Sequence, residues 1–284
     1  MSGPLHGWRV AAVCIALLAA ACRNVAAGSA ESIPHPDALE NTVEYFVAAP
    51  EGRGPWPTVV LLHGHQPAGG PGGRAFVKWG VLGALAKRGY LAVAVSQPGY
   101  GGSTGPADFC GLYTQRAVIA VIDVLRTEGR ASPDRLVVQG ISRGAIVAAL
   151  VAAQYEDITG LVLVSGVYDL ERFVAETKSG TPRADVVRAI RAETDGTPDS
   201  LRERSALHVA DHIKAETLVL GGAKDDRTDP AGHAKFAEAI ERGGGRARAV
   251  VYPGHGHSIP VALRNAEVDP FLDAVLKAPV SRAR

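Results

Sequence analysis

Cysteine is scarce in this sequence: Cys14 and Cys22 fall in the N-terminal apolar segment, which leaves Cys110 alone in the remainder. Disulfide stapling is therefore excluded as the basis of the fold. With no base-bearing motif around it, Cys110 reads as a small buried hydrophobe and not as a nucleophile. Charge of one sign is missing too, since 30 Lys and Arg stand against 29 Asp and Glu for a net charge of +1. No basic run interrupts that balance, so a nucleic-acid footprint is excluded and the expected partner is a small molecule. Metal-ligand spacing is also lacking. His63 and His65, and again His255 and His257, stand two apart with no Cys-His or His-Glu-x-x-His set beside them. The glycines of Gln97-Pro98-Gly99-Tyr100-Gly101-Gly102-Ser103 have neither Rossmann spacing nor a Gly-Lys-Ser/Thr, which excludes a nucleotide cradle. No metal and no cofactor is expected. There is no internal repeat, and low complexity is confined to Gly69–Gly73.

Only one long hydrophobic run exists, Val10 to Ala21, preceded by Arg9 and followed by small residues. A basic flank before such a run is the pattern of an export signal, and the run is too short to span a bilayer comfortably. Two processing sites compete. Cleavage after Ala27 follows Val25-Ala26-Ala27 and would remove residues 1–27, whereas Leu18-Ala19-Ala20-Ala21-Cys22 resembles a bacterial lipobox, would remove residues 1–21 and would lipidate Cys22. The expectation is a secreted or periplasmic protein, or a bacterial lipoprotein attached to the membrane through Cys22. A buried N-terminal helix is the structural alternative.

With 46% hydrophobic residues over 284 positions, the chain can bury one large core. Residues 28–41 read as a proline-containing linker, 42–278 as the folded domain and 279–284 as a tail. Strands are expected at Thr42–Ala48, Thr58–Leu62, Tyr90–Ser96, Arg135–Gln139, Leu161–Val164, Thr217–Leu220 and Arg246–Tyr252. Helices are expected at Phe76–Arg88, Tyr113–Glu128, Ala145–Tyr155, Ala231–Arg242 and Pro270–Lys277. This alternation specifies an α/β fold with a mostly parallel sheet flanked by helices, and the aliphatic run Thr58-Val59-Val60-Leu61-Leu62 suits burial on both faces. The charged segment at about 168–216 offers helical stretches but no strand, so it reads as a small cap inserted over one end of the sheet.

The chemistry begins at Gly140-Ile141-Ser142-Arg143-Gly144. The pentapeptide follows an apolar strand and leads into the alanine-rich run Ala145–Ala153, and a serine held at such a turn has its hydroxyl exposed for attack on an acyl carbon. An activated serine needs a histidine to accept its proton and a carboxylate to hold that histidine. Both follow in order: a strand running into Gly221-Gly222-Ala223-Lys224-Asp225-Asp226-Arg227, then a strand ending in Gly254-His255-Gly256-His257. Loops at the carboxyl ends of parallel strands converge on one crevice, so Ser142, Asp225 and His257 can meet. Asp226 and Asp229 are alternative acids, the latter also suited to cap a helix before Pro230, and His255 is the alternative base. Two backbone N–H donors must stabilise the oxyanion: Arg143, following the nucleophile, and His65, or next to it Gln66, in the loop after Leu62-His63-Gly64. The Arg143 side chain is open to a local salt bridge or to an anionic substrate, and the Gln97–Ser103 loop is expected to shape the crevice.

These four motifs, His-Gly after an early strand, the elbow, Gly-x-x-Asp-Asp-Arg and Gly-x-Gly-His, occur in the order found in the α/β-hydrolase superfamily. The chain resembles its prolyl-oligopeptidase-like and dienelactone-hydrolase-like branches from about Thr42 to Lys277. The resemblance implies a Ser142-His257-Asp225 triad, an acyl-enzyme intermediate and no cofactor. It leaves the substrate class open. A small ester or related acyl substrate is the first expectation, because oligopeptidases of the family carry a large propeller domain ahead of the hydrolase and here only a short segment precedes the first strand. A prolyl-oligopeptidase-like peptidase acting on short peptides is the alternative, and an inactive hydrolase-fold binding protein is the third reading.

Overall fold

The computed structural model describes residues 28–277. The export signal and the lipidation site at Cys22 lie outside the described residues, as does the tail 279–284. Eight strands form one sheet: β1 (Ser29–His35), β2 (Ala38–Ala48), β3 (Trp56–Leu62), β4 (Leu91–Val95), β5 (Ala131–Ile141), β6 (Gly160–Val164), β7 (Glu216–Gly222) and β8 (Ala247–Tyr252). Their spatial order is β1-β2-β4-β3-β5-β6-β7-β8. The β1·β2 and β2·β4 pairs are antiparallel, and β4 to β8 run parallel through β3. This is the mostly parallel, helix-flanked sheet of the α/β-hydrolase fold.

The centre of the sheet is aliphatic because both of its faces are covered. All five residues of β4 and all five of β6 are buried. Period-two alternation then divides the core in two. Val60, Leu62 and Val93 point to one side, under α3 (Leu112–Thr127) and α4 (Arg143–Ala152). Val59, Leu61, Ala92 and Ala94 point to the other, where Phe76, Leu82, Leu85 and residues of the C-terminal helix cover them. Cys110 is fully buried, and burial pushes its thiol up to about 12, so it behaves as a core residue.

Three boundaries differ from those expected. Residues 28–41 do not form a linker: β1 pairs with β2 from Ser29 opposite Val47 to Pro34 opposite Thr42. A proline is tolerated there because β1 is the edge strand, where a missing N–H leaves no ladder partner unsatisfied. The single helix expected over Phe76–Arg88 is two, α1 (Arg74–Lys78) and α2 (Val81–Lys87), divided at Gly80, whose φ of +72° breaks the helical path. The last helix, α9 (Val261–Lys277), begins well before Pro270 and carries it inside. Val268, Phe271, Leu272 and Leu276 are buried against the sheet, and that packing outweighs the lost helical hydrogen bond.

Between β6 and β7 the chain forms α5 (Leu170–Glu176), α6 (Pro182–Glu193), α7 (Pro198–Glu203) and a 3-10 segment, Ala206–His212. No strand occurs in this stretch among the described residues. The remaining helix, α8 (Pro230–Arg242), follows β7.

Candidate active site

Parallel pairing brings the ends of β3, β5, β6 and β7 to one edge, with Leu62 opposite Gly140, Ile141 opposite Val164, and Val164 opposite Leu220. At or beyond that edge, His65 follows β3, Ser142 follows β5, Asp225 follows β7, and His257 follows the neighbouring β8. At the end of β5, Ser142 sits at φ +54° and ψ −118°, a conformation L-residues avoid, and α4 starts at the next residue. The turn requires its flanking glycines. A Cβ on Gly140 would stand 2.0 Å from the Gly144 carbonyl oxygen, and one on Gly144 would stand 2.2 Å from that of Leu62. The Ser142 N–H is held by the Val164 carbonyl at 2.7 Å, which fixes the strained residue to the neighbouring strand.

His257 lies between Ser142 and Asp225. Its Nδ1 is 2.9 Å from Asp225 Oδ2, and its Nε2 is 3.1 Å from Ser142 Oγ. Asp225 is 4% exposed and collects three further donors: the Arg227 and Thr228 N–H groups on Oδ1 at 2.9 and 3.0 Å, and the Thr228 hydroxyl on Oδ2 at 2.6 Å. Burial opposes its charge, but hydrogen bonds from His257 and Thr228, the charge of His257 and the Arg227 N–H outweigh it and hold the carboxyl at about 2. An ionised Asp225 accepts a hydrogen bond from Nδ1–H, which leaves Nε2 as the acceptor for the serine hydroxyl.

Among the described residues, none of the alternatives hydrogen-bonds to the Ser142 hydroxyl or to the His257 ring: Asp229 caps α8 through the Ala231 N–H at 3.2 Å, Asp226 is exposed, and the His255 ring stands edge-on to Tyr252. Thr228 went unnoticed in the sequence, although its place three residues after Asp225 suits a side-chain-to-carboxylate bond.

Opposite the elbow, the loop after β3 packs closely: a Cβ on Gly64 would lie 3.3 Å from Ser142 Cβ. Among the described residues, neither the Arg143 nor the His65 main-chain N–H is taken up by a hydrogen bond. The adjacent His63 ring has a purely architectural task. Its Nε2 accepts from Gln97 N–H at 3.1 Å, so Nδ1 carries the proton and donates to the Gly64 carbonyl at 2.8 Å. Burial first, and then the charge of Arg143, lower this ring to about 4 despite the Gly64 bond, so it stays neutral and holds the loop.

A cavity of about 250 Å³ opens at Ser142. Phe109, Ile146, Val167, Leu170, Val186 and Ala189 make its apolar wall, while His65, Arg227 and Thr228 stand among its polar lining. A wider groove of about 510 Å³ adjoins it across His65, bordered by Gln66, Gly99 and Tyr100 on one side and by α6 on the other.

The Arg143 side chain makes the local salt bridge. It is 2% exposed, and its Nη1 lies 2.7 Å from Glu193 Oε2, at the last residue of α6. Nε donates to Gln97 Oε1 at 3.0 Å, Nη1 also reaches the Tyr100 hydroxyl at 2.8 Å, and the guanidinium lies about 5 Å from the ring centres of Tyr100 and Phe109. The Phe109 N–H donates to Glu193 at 3.1 Å. One buried cluster thus joins the elbow, the loop after β4 and the segment between β6 and β7. Burial raises the Glu193 carboxyl, but the Arg143 charge and the Arg143, Tyr100 and Phe109 hydrogen bonds lower it further, so the net direction is down. Nothing in the sequence around Glu193 signals this role.

Removing the acid strands the cation in the interior. Glu193→Ala is expected to cost about 3 kcal/mol, because an uncompensated buried charge is worse than no pair at all. For a chain of this size that lowers the melting temperature by roughly 6–12 °C. Since the carboxyl is depressed in the folded state, this contribution is complete above the ordinary Glu value of 4.5 and is lost as pH falls below it. Thermal unfolding of parent and variant at pH 7 and pH 4 checks both statements: the gap should narrow in acid, and an equal gap at both would sink the assignment.

The chain is similar to known proteins in sequence family and in fold. The model of the prolyl oligopeptidase family matches residues 83–277, more than half of the chain. No curated protein matches the sequence. Among solved structures, the Pyrococcus horikoshii acylaminoacyl peptidase superposes with a TM-score of 0.73 at 17% identity, covering 89% of this chain and 42% of that one. A Mycobacterium tuberculosis puromycin-hydrolyzing peptidase gives 0.74 at 23%, covering 90% and 41%. The Pyrococcus furiosus esterase Pf2001 gives 0.66 at 18%, covering 88% and 91%. The chain therefore spans less than half the length of the two peptidases and nearly the full length of the esterase. At these identities the likeness is one of fold.

Proposed function

Because the chain belongs to the prolyl oligopeptidase family, we propose that it is a serine peptidase acting on short peptides or aminoacyl amides through Ser142, His257 and Asp225. The observation that carries the reading is the continuous hydrogen-bonded path from Ser142 Oγ through the His257 ring to Asp225. In the proposed reaction, Ser142 Oγ attacks the scissile carbonyl carbon as its proton passes to His257 Nε2. The oxyanion of the tetrahedral intermediate accepts from the Arg143 and His65 N–H groups, which no other acceptor occupies. His257 then returns the proton to the leaving amine, the acyl group remains on Ser142, and water activated by the same imidazole releases it. Asp225 stays ionised throughout and stabilises the imidazolium.

The order of substrate classes thus reverses the first expectation from sequence. Family membership favours amide cleavage, and the paired spaces at the site support an extended substrate. The apolar cavity suits an aliphatic or aromatic side chain next to the scissile bond, and the adjoining groove suits a chain that continues beyond it. Ester hydrolysis is kept as the second reading because the esterase neighbour matches over 91% of its own length. A panel of aminoacyl p-nitroanilides and p-nitrophenyl esters separates the two. Anilide turnover is expected, with preference for an apolar residue at the acyl side; ester turnover with no anilide cleavage would install the esterase reading instead.

A further inference from the structure

Ser165 follows the last residue of β6, and its backbone sits at φ +53° although it is not a glycine. It is completely buried. Glycine would occupy this left-handed conformation without steric cost, so the retained side chain needs a reason of its own. The contacts supply one. The Ser165 hydroxyl donates to the main-chain carbonyl of His257 at 2.9 Å, and its N–H donates to the Leu220 carbonyl at 2.8 Å, on the strand that leads to Asp225. The residue before it, Val164, accepts the Ser142 N–H. A single buried turn therefore reaches the backbone of the nucleophile's strand, the acid's strand and the base itself.

His257 depends on that contact. It lies at the end of Tyr252-Pro253-Gly254-His255-Gly256-His257, a loop containing two glycines, and among the described residues no other hydrogen bond engages its main chain. The hydrogen bonds made by His255 hold the loop two residues earlier, before Gly256. Free rotation at Gly256 and at His257 itself would move the ring off the line between Ser142 and Asp225.

We propose that Ser165 is a positioning residue, whose buried hydroxyl pins the His257 carbonyl and so holds the imidazole in its working place. This rests on the reading of Ser142 and His257 given above. The hydroxyl touches the His257 main chain and not the substrate cavity, so its loss should reduce turnover without changing substrate binding.

Ser165→Gly tests this well, because glycine relieves the left-handed backbone while removing the hydroxyl. Kinetics on the best p-nitroanilide of the panel should show kcat about tenfold lower with KM unchanged, since small displacements of a catalytic group carry penalties of this order. The melting temperature should equal or exceed the parent's. Fluorophosphonate labelling should slow in the same ratio. Ser165→Ala should match the kinetic loss at lower stability, and it carries the measurement if the glycine variant does not fold. A kcat within twofold of the parent in the folded glycine variant overturns the proposal. So does a loss in which KM rises and stability falls together. Ser142→Ala run alongside separates the two levels: if it retains activity, the underlying reading fails, whereas its inactivity beside a fully active Ser165→Gly removes only the positioning role.

Discussion

Ser142→Ala is expected to lower kcat by a factor on the order of 10⁵ or more and to abolish labelling by a fluorophosphonate. Removing the nucleophile leaves only binding and oxyanion stabilisation, so the loss should equal that of removing the whole relay. Stability should hardly change. Alanine keeps the Cβ at φ +54°, so the backbone strain is neither relieved nor increased, and the variant forfeits one 3.1 Å hydrogen bond to a partly exposed imidazole. Steady-state hydrolysis, gel-based labelling and a melting curve on the same preparation make the test complete. Activity above about one per cent of the parent would place the nucleophile elsewhere, because a serine enzyme has no substitute for that oxygen.

The second large effect belongs to Asp225→Asn, expected to reduce kcat about 10⁴-fold while leaving the fold intact. The replacement keeps volume and can keep the Arg227 and Thr228 N–H groups on one oxygen. It then turns an amide NH2 toward His257 Nδ1, where an acceptor stood. The ring answers by accepting at Nδ1 and carrying its proton on Nε2, which faces Ser142 and can no longer take the hydroxyl proton. Because burial is outweighed by its hydrogen bonds and by the charge of His257, which hold the carboxyl at about 2, Asp225 is ionised in the parent throughout the range from pH 5 to 9. Its stabilising contribution is complete above the ordinary Asp value of 3.8 and is lost as pH falls toward 2. Rate measurements from pH 5 to 9 decide the case: loss at every pH is expected, and a variant that keeps a tenth of the parent's kcat would reduce Asp225 to a structural anchor.

Much of this was legible in the sequence for identifiable reasons. Strands buried on both faces, such as β4 and β6, announce themselves as uninterrupted aliphatic runs. The elbow is readable because two backbone approaches of about 2 Å permit only glycine at 140 and 144. The edge strand β1 escaped notice because its pairing is made by main chain, and its side chains, Ile33 aside, give no apolar run. Pro270 misplaced the start of α9 because local chemistry opposes a helix there and only distant packing allows it. Glu193 was invisible for a more general reason. Its partner stands 50 positions earlier, and nothing about an acid at the end of an amphipathic helix tells which buried cation it will meet. Residues that act directly on a reaction sit in recognisable turns, whereas those that hold them are defined only by the fold.

Arg143 gives its amide to the elbow and its guanidinium to the anchoring of α6. That double employment imposes epistasis on any attempt to retune selectivity through the walls of the cavity. Randomising the last turn of α6 would alter which side chains are admitted and, through the shared arginine, the rate at which every one of them is processed. Libraries that hold Glu193 fixed and vary Val186 and Ala189 should let the two properties evolve independently.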